Sequence, residues 1–175
     1  MNTRFEDMRN IAKTVSSPTT VGSIYHWLQG DALDFDAPYQ RGYVWTQKEQ
    51  DEYLVTLLAG YPTGVICLAE VKENMSDPED FKEFRWIEVV DGKQRLTTLK
   101  LFFEGKIGLP LSNGERVFYP DFTPSESRGF RNVGINLLRM DNASERDKLN
   151  FFYRVNFMGV PQSAEHRAKV EGMMK

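Results

Sequence analysis

Asp91, Gly92, Lys93, Gln94 and Arg95 sit where an apolar, strand-like run, Trp86 to Val90, gives way to a helix-like stretch, Lys93 to Phe103. The start of a helix offers backbone N–H groups without intrahelical partners and the positive end of the helix dipole, a combination that draws anions and phosphates in particular. Lys93 and Arg95 add positive charge, and an arginine can grip two phosphate oxygens at once. Asp91 could hold a divalent metal or orient a water. The competing reading is a tight turn in which Asp91 caps the helix while Lys93 and Arg95 are solvated.

Two further segments carry residues of the same kind. Tyr39-Gln40-Arg41-Gly42-Tyr43-Val44-Trp45 is a loop dense in aromatic rings. Its Arg41 could meet a phosphate, and Tyr39, Tyr43 or Trp45 could stack on a base. The alternative is an aromatic cluster anchoring the core, with Arg41 paired to a carboxylate. Arg154 and Asn156 lie two residues apart on a stretch with apolar helical spacing, which by itself reads as an ordinary helix with a glycine stop at Gly159. Other chemistries find no support. The P-loop pattern is absent, as are a Ser-His-Asp arrangement and a pair of carboxylates of the glycosidase kind. Two histidines and one cysteine exclude an ordinary zinc finger and make a His-Asn-His nuclease centre a poor fit.

The elements that must position these residues follow from local signals. Residues 3 to 14 have amphipathic helical spacing. Thr20 can cap a helix through Leu28 that stops at Gly30, and Ala32 to Phe35 is a short strand candidate. Thr46 and Glu49 form a capping box for a helix from Gln47 to about Ala59, with Tyr53, Leu54, Leu57 and Leu58 on its apolar face. Gly64 to Val71 and Glu83 to Val90 read as strands of a hairpin whose polar loop spans Lys72 to Phe81. Leu96, Leu99, Phe102 and Phe103 line one face of the next helix. Glu115 to Tyr119 is a strand candidate. Thr123-Pro124-Ser125-Glu126 is a strong helix start. Val133 to Met140 reads as a last strand, followed by a helix from Asp141 or Ser144 through Val155 and another opening at Ser163. Helices and strands mix without βαβ regularity, so the class is α+β.

With 175 residues, 41% hydrophobic, 13% aromatic and 27% charged, the composition is that of one globular domain with a sizeable core. No apolar run reaches membrane-spanning length, and Met1 to Asn10 is charged, so a soluble cytoplasmic protein without membrane partners is expected. Cys67, the single cysteine, falls in an apolar run and reads as a buried thiol. Net charge is −3, unevenly spread: residues 1–124 hold 13 basic and 19 acidic side chains, and residues 125–175 hold 9 and 6. That basic C-terminal part is either a phosphate-facing surface or ordinary helix surface.

Taken in order, Tyr-Gln-Arg-x-Tyr-Val-Trp, Gly60-Tyr61-Pro62-Thr63-Gly64, Val-Asp-Gly-Lys-Gln-Arg-Leu-Thr-Thr-Leu and Phe-Phe-Tyr-Arg-Val-Asn-Phe-Met-Gly-Val-Pro resemble the N-terminal domain of GmrSD-type modification-dependent restriction proteins. That family lies within the ParB/sulfiredoxin superfamily and includes SspE-like domains. The resemblance runs from about Val21 to Val170. Lys93 departs from the family's Asp-Gly-Gln-Gln-Arg signature, in which a glutamine holds that place. The resemblance implies a small mixed sheet packed with helices over residues 21–175, helical from about residue 123, behind an N-terminal helical extension over residues 1–20. It implies nucleotide binding and hydrolysis, with Asp91, Gln94 and Arg95 catalytic. Gln40, Arg41, Gly92, Lys93, Arg154 and Asn156 would hold the nucleotide, a nucleoside triphosphate with Mg2+. DNA is the expected macromolecular partner, for nicking or restriction in phage defence. Family members often carry a second, His-Asn-His nuclease domain, for which these 175 residues leave no room, so a partner nuclease subunit is expected. Two other outcomes suit the same corner: a phosphotransferase acting on the hydroxyl of a small molecule or modified base, and a non-catalytic modified-DNA-binding or regulatory module.

Overall fold

The computed structural model of the protein describes residues 14–70 and 87–157. The expected helix over residues 3–14, apart from its last residue, the helix from Ser163 and the hairpin loop Lys72 to Phe81 lie outside the described residues. Within them the chain is α+β, as its mixed pattern predicts. In chain order the elements are β1 (Val15–Ser16), β2 (Thr19–Thr20), α1 (Val21–Gln29), β3 (Leu33–Asp34), α2 (Gln47–Leu58), β4 (Ile66–Glu70), β5 (Ile87–Asp91) and α3 (Lys93–Phe103). Then come β6 (Leu109–Pro110), β7 (Arg116–Val117), a 3-10 turn at Tyr119–Asp121, α4 (Pro124–Arg131), β8 (Gly134–Ile135), β9 (Leu137–Met140) and α5 (Glu145–Phe157).

Capping explains most helix boundaries. The Thr20 hydroxyl accepts from the Ser23 N–H, and the Gly30 N–H closes the same helix on the His26 carbonyl. The boxes at Thr46/Glu49 and Thr123/Glu126 both form, each satisfying N–H groups that a helix start would leave unpaired. Strand bounds follow backbone pairing rather than the apolar runs alone. The run Val133 to Met140 is divided between β8 and β9, because Thr19 and Thr20 of β2 pair with β8 while Val15 and Ser16 of β1 pair with β9. Residues 15–20 therefore begin the sheets, ahead of the boundary expected at residue 21.

The main sheet has the order β1-β9-β4-β5-β3. β4 runs antiparallel to β5, as the hairpin reading requires, and parallel to β9, while β3 is parallel to β5. Alternation along each strand sends side chains to opposite faces. Ile66, Leu68, Val89 and Leu137 pack with Val21, Ile24, Leu54, Leu57, Leu96, Leu99, Phe102 and Phe130. This larger cluster joins α1 to α4 to one face of the sheet. Cys67, Ala69, Val90 and Met140 form a smaller cluster with Phe151 of α5 on the other face. The Phe102, Phe103, Tyr119, Phe122 and Phe130 rings meet mostly edge to face, with centroids 4.8 to 6.3 Å apart, the geometry their quadrupoles favour. α3 is held firmly by this cluster, so its N-terminus has a fixed place at the end of β5.

Candidate functional site

β5 ends at Asp91 and α3 begins at Lys93, leaving Gly92 alone to turn the corner. Its φ is 107°, a left-handed conformation, and a Cβ there would stand 3.1 Å from Ile66 Cγ1. Glycine alone fits both demands. Gly92 also brings no side chain to cap the helix, so the first N–H groups of α3 remain open toward whatever occupies the corner.

A cavity of about 240 Å3 lies at this point, lined by residues from all three candidate segments. The Tyr39 to Trp45 loop contributes Gln40, Arg41 and Trp45; the corner contributes Asp91 to Arg95; α5 contributes Phe152 and Asn156. The Arg95 guanidinium donates through Nη2 to Asp91 Oδ2 at 2.8 Å and through Nη1 to the Thr63 carbonyl at 3.1 Å. Gly64, with φ of 85°, makes room for it, since a Cβ there would lie 2.5 Å from Nη1. Asn156 Nδ2 donates to the other Asp91 oxygen at 3.4 Å and to the Phe152 carbonyl at 2.9 Å. Lys93 Nζ donates to the Phe35 carbonyl at 2.7 Å. Arg41 is exposed and has no ion pair among the described residues. Three cations and one carboxylate thus share the cavity, leaving an excess of positive charge beside a helix start.

A family model of the GmrSD restriction endonuclease N-terminal domain matches residues 24–169. The chain belongs to this family. The match spans every cavity-lining residue and associates the chain with restriction-type action on DNA. None of the curated proteins matches the chain significantly.

In this GmrSD-type domain the two glutamines brace the site. Gln94 Oε1 accepts from the Val44 N–H at 2.9 Å, and its Nε2 donates to the Gly42 carbonyl at 3.0 Å. The side chain therefore pairs with the loop backbone as a neighbouring strand would. Gln40 Nε2 donates to the Val89 and Val90 carbonyls, fastening the same loop to β5. Arg41 is placed between these two clamps. Lys93, where the family signature has glutamine, spends one N–H on the Phe35 carbonyl while its charge stays on the cavity wall.

The structure does not bring all the predicted residues together. Arg154 is exposed on α5 and does not line the cavity, although Asn156 on the same helix does. Residues two apart on a helix point about 200° away from each other, so one face could not hold both. Tyr39 and Tyr43 also stand outside the cavity lining, leaving Trp45 as the loop's ring within it. The Tyr43 hydroxyl is 2.9 Å from Thr98 Oγ1. Tyr39 donates its hydroxyl to Glu88 Oε1 at 2.6 Å and packs its ring against Phe152.

Sequence reasoning missed the network behind the site. Glu88, 8% exposed, accepts from both Tyr39 and Lys148, itself 6% exposed, and Lys148 also pairs with Glu145. Burial pulls the Lys148 ammonium down, but its hydrogen bonds to Glu145 and Glu88, with their charges, overcome this and leave it above the ordinary lysine value. Burial, then the hydrogen bond to Glu88, pushes the Tyr39 hydroxyl well above the ordinary tyrosine range. This network ties the loop and α5 to β5 three residues before Asp91. A lone acid within the apolar run Trp86 to Val90 was the available signal. The basic C-terminal surface is correspondingly reduced, since Lys148 is buried and Arg139 pairs with Glu70. Thr63 and Gly64, the last residues of the Gly60 to Gly64 segment, seat the Arg95 guanidinium, a role their residue types do not announce. Cys67 is buried, as expected, and burial pushes its thiol up to about 12. Among the described residues no helix is long and apolar enough to cross a membrane.

Proposed function

We propose that this domain binds a nucleoside triphosphate by its phosphates and hydrolyses it, and that this turnover gates DNA engagement by the domain or by a partner nuclease subunit. The observation that carries the reading is the convergence of Arg41, Lys93, Arg95 and the uncapped start of α3 on one cavity. Phosphoryl transfer needs charge neutralisation on the transferring group more than covalent help from the protein. Arg41, without a competing partner among the described residues, meets the incoming phosphates first. Arg95 is oriented by Thr63 and Asp91 and can add a bidentate contact. Asp91 then holds the attacking water, with Asn156 fixing its rotamer.

Magnesium fits only as an ion carried by the phosphates. Among the described residues no group of three or more His, Cys, Asp or Glu could hold a metal, and Asp91 is the sole carboxylate lining the cavity. A phosphate-bound Mg2+ with one protein carboxylate is a common arrangement, and the ion would supply further neutralisation of the phosphate oxygens. The GmrSD family membership supports the coupling to DNA.

Isothermal calorimetry and phosphate release with a panel of nucleoside triphosphates, with and without DNA, test the reading. Arg41→Ala is expected to weaken binding at unchanged melting temperature, because Arg41 is exposed. Arg95→Ala is expected to abolish binding, and Asp91→Asn to retain binding and lose turnover. Wild-type affinity in both arginine variants would overturn the assignment.

A further inference from the structure

A second cavity, of about 290 Å3, adjoins the first across Trp45, which lines both. Its other walls come from Glu49, Glu52, Tyr53 and Thr56 of α2 and from Thr63. Thr63 is also the residue whose carbonyl receives Arg95, so the anchor of an arginine in the first cavity forms part of the wall of the second. We propose that the second cavity is the base subsite for the nucleotide whose phosphates occupy the first, and that it selects a base carrying an exocyclic amino group. This rests on the phosphate-binding reading above.

Three features of the cavity carry the proposal. Its aromatic wall is preformed: the Trp45 and Tyr53 rings lie 5.5 Å apart at 56°, and a planar base can stack on the indole. Its polar side is anionic. Glu49 is held ionised below the ordinary carboxylate range by its hydrogen bonds from Thr46, and Glu52 stands one turn further along α2. An ionised carboxylate only accepts hydrogen bonds. It therefore rewards an amino group, repels a carbonyl oxygen at the same place and turns phosphates away toward the cationic cavity. Finally, Tyr53 is 6% exposed, and its hydroxyl is the one buried side-chain polar atom without a hydrogen-bond partner among the described residues. A buried polar group left unpaired is costly, so a shift of the Tyr53 ring that brings its hydroxyl to a donor on the bound base would be rewarded. Charge of opposite sign on the two sides of Trp45 fixes the ligand's direction.

The test uses two matched pairs, ATP with ITP and CTP with UTP, each differing at one amino-for-carbonyl position. Inorganic tripolyphosphate serves as a probe of the phosphate cavity alone. Calorimetry on the full chain is expected to favour the amino member of each pair about tenfold or more, the worth of one hydrogen bond to a charged group. Glu52→Gln is expected to shrink the ATP-to-ITP ratio, and Trp45→Ala to bring ATP affinity down toward that of tripolyphosphate. A purely structural role for either residue would leave these ratios unmoved. Equal affinities within each pair, with tripolyphosphate still bound, would overturn the base subsite and spare the phosphate site. Absence of tripolyphosphate and nucleotide binding alike would overturn both.

Discussion

Replacing Lys148 by methionine keeps an unbranched side chain only one heavy atom shorter and removes its charge. Glu88 is then left 8% exposed with a single remaining partner, the Tyr39 hydroxyl at 2.6 Å. Breaking a buried ion pair by deleting one member costs about 3–5 kcal/mol, because the other charge stays desolvated. The Tyr39 hydrogen bond places Lys148→Met at the lower end, about 3 kcal/mol. The Glu145 contact adds little, since that carboxylate is 78% exposed and solvent screens it. In a domain of this size each kcal/mol moves the melting temperature by about 2–4 °C, so a fall of about 9 °C is expected. Thermal melts by circular dichroism read this directly. A cycle with Glu88→Gln separates the pair from general damage. Glutamine can still accept from Tyr39, and with the second charge gone the double variant is expected to be more stable than the sum of the single losses by about 1 kcal/mol or more. Lys148→Met melting within 2 °C of the wild type, or a strictly additive cycle, would refute the idea that this buried pair fastens α5 to β5.

Gly92→Ala forces a Cβ into a left-handed backbone and to 3.1 Å from Ile66; a loss of about 1–3 kcal/mol in urea unfolding is expected, with weaker nucleotide binding because the start of α3 shifts. Unchanged stability would show that the corner relaxes freely. The protein is also expected to lose stability in alkali. Tyr39, Tyr53, Cys67 and Lys148 all have folded-state values above their ordinary ones. Above the ordinary thiol value of 9.0, the unfolded chain therefore releases protons that the folded chain keeps, and stability declines with rising pH. The contribution is complete below that pH, so a urea midpoint that stays level between pH 8 and pH 10.5 would contradict it.

The element plan was readable because its signals are local. A threonine followed three residues later by glutamate satisfies helix N–H groups wherever it occurs, so α2 and α4 begin where the sequence says. The glycine after Asp91 predicts a corner because no other residue turns there at φ of 107°. Strand lengths were less legible: β8 and β9 divide one apolar run because β1 and β2, distant in sequence, pair with different parts of it. The same limit governed the site. Residue types marked out Arg41, Asp91, Arg95 and Asn156, and the fold brings all four to one cavity. Which charges remain available there is a tertiary matter. Lys93 keeps its charge on the cavity wall while donating to the Phe35 carbonyl, Lys148 is neutralised by Glu88, and Arg154 points elsewhere on its helix. A side chain's type states what it can bond. Its partners depend on which segments pack beside it, and burial then decides whether its charge is free for a ligand or already neutralised within the protein.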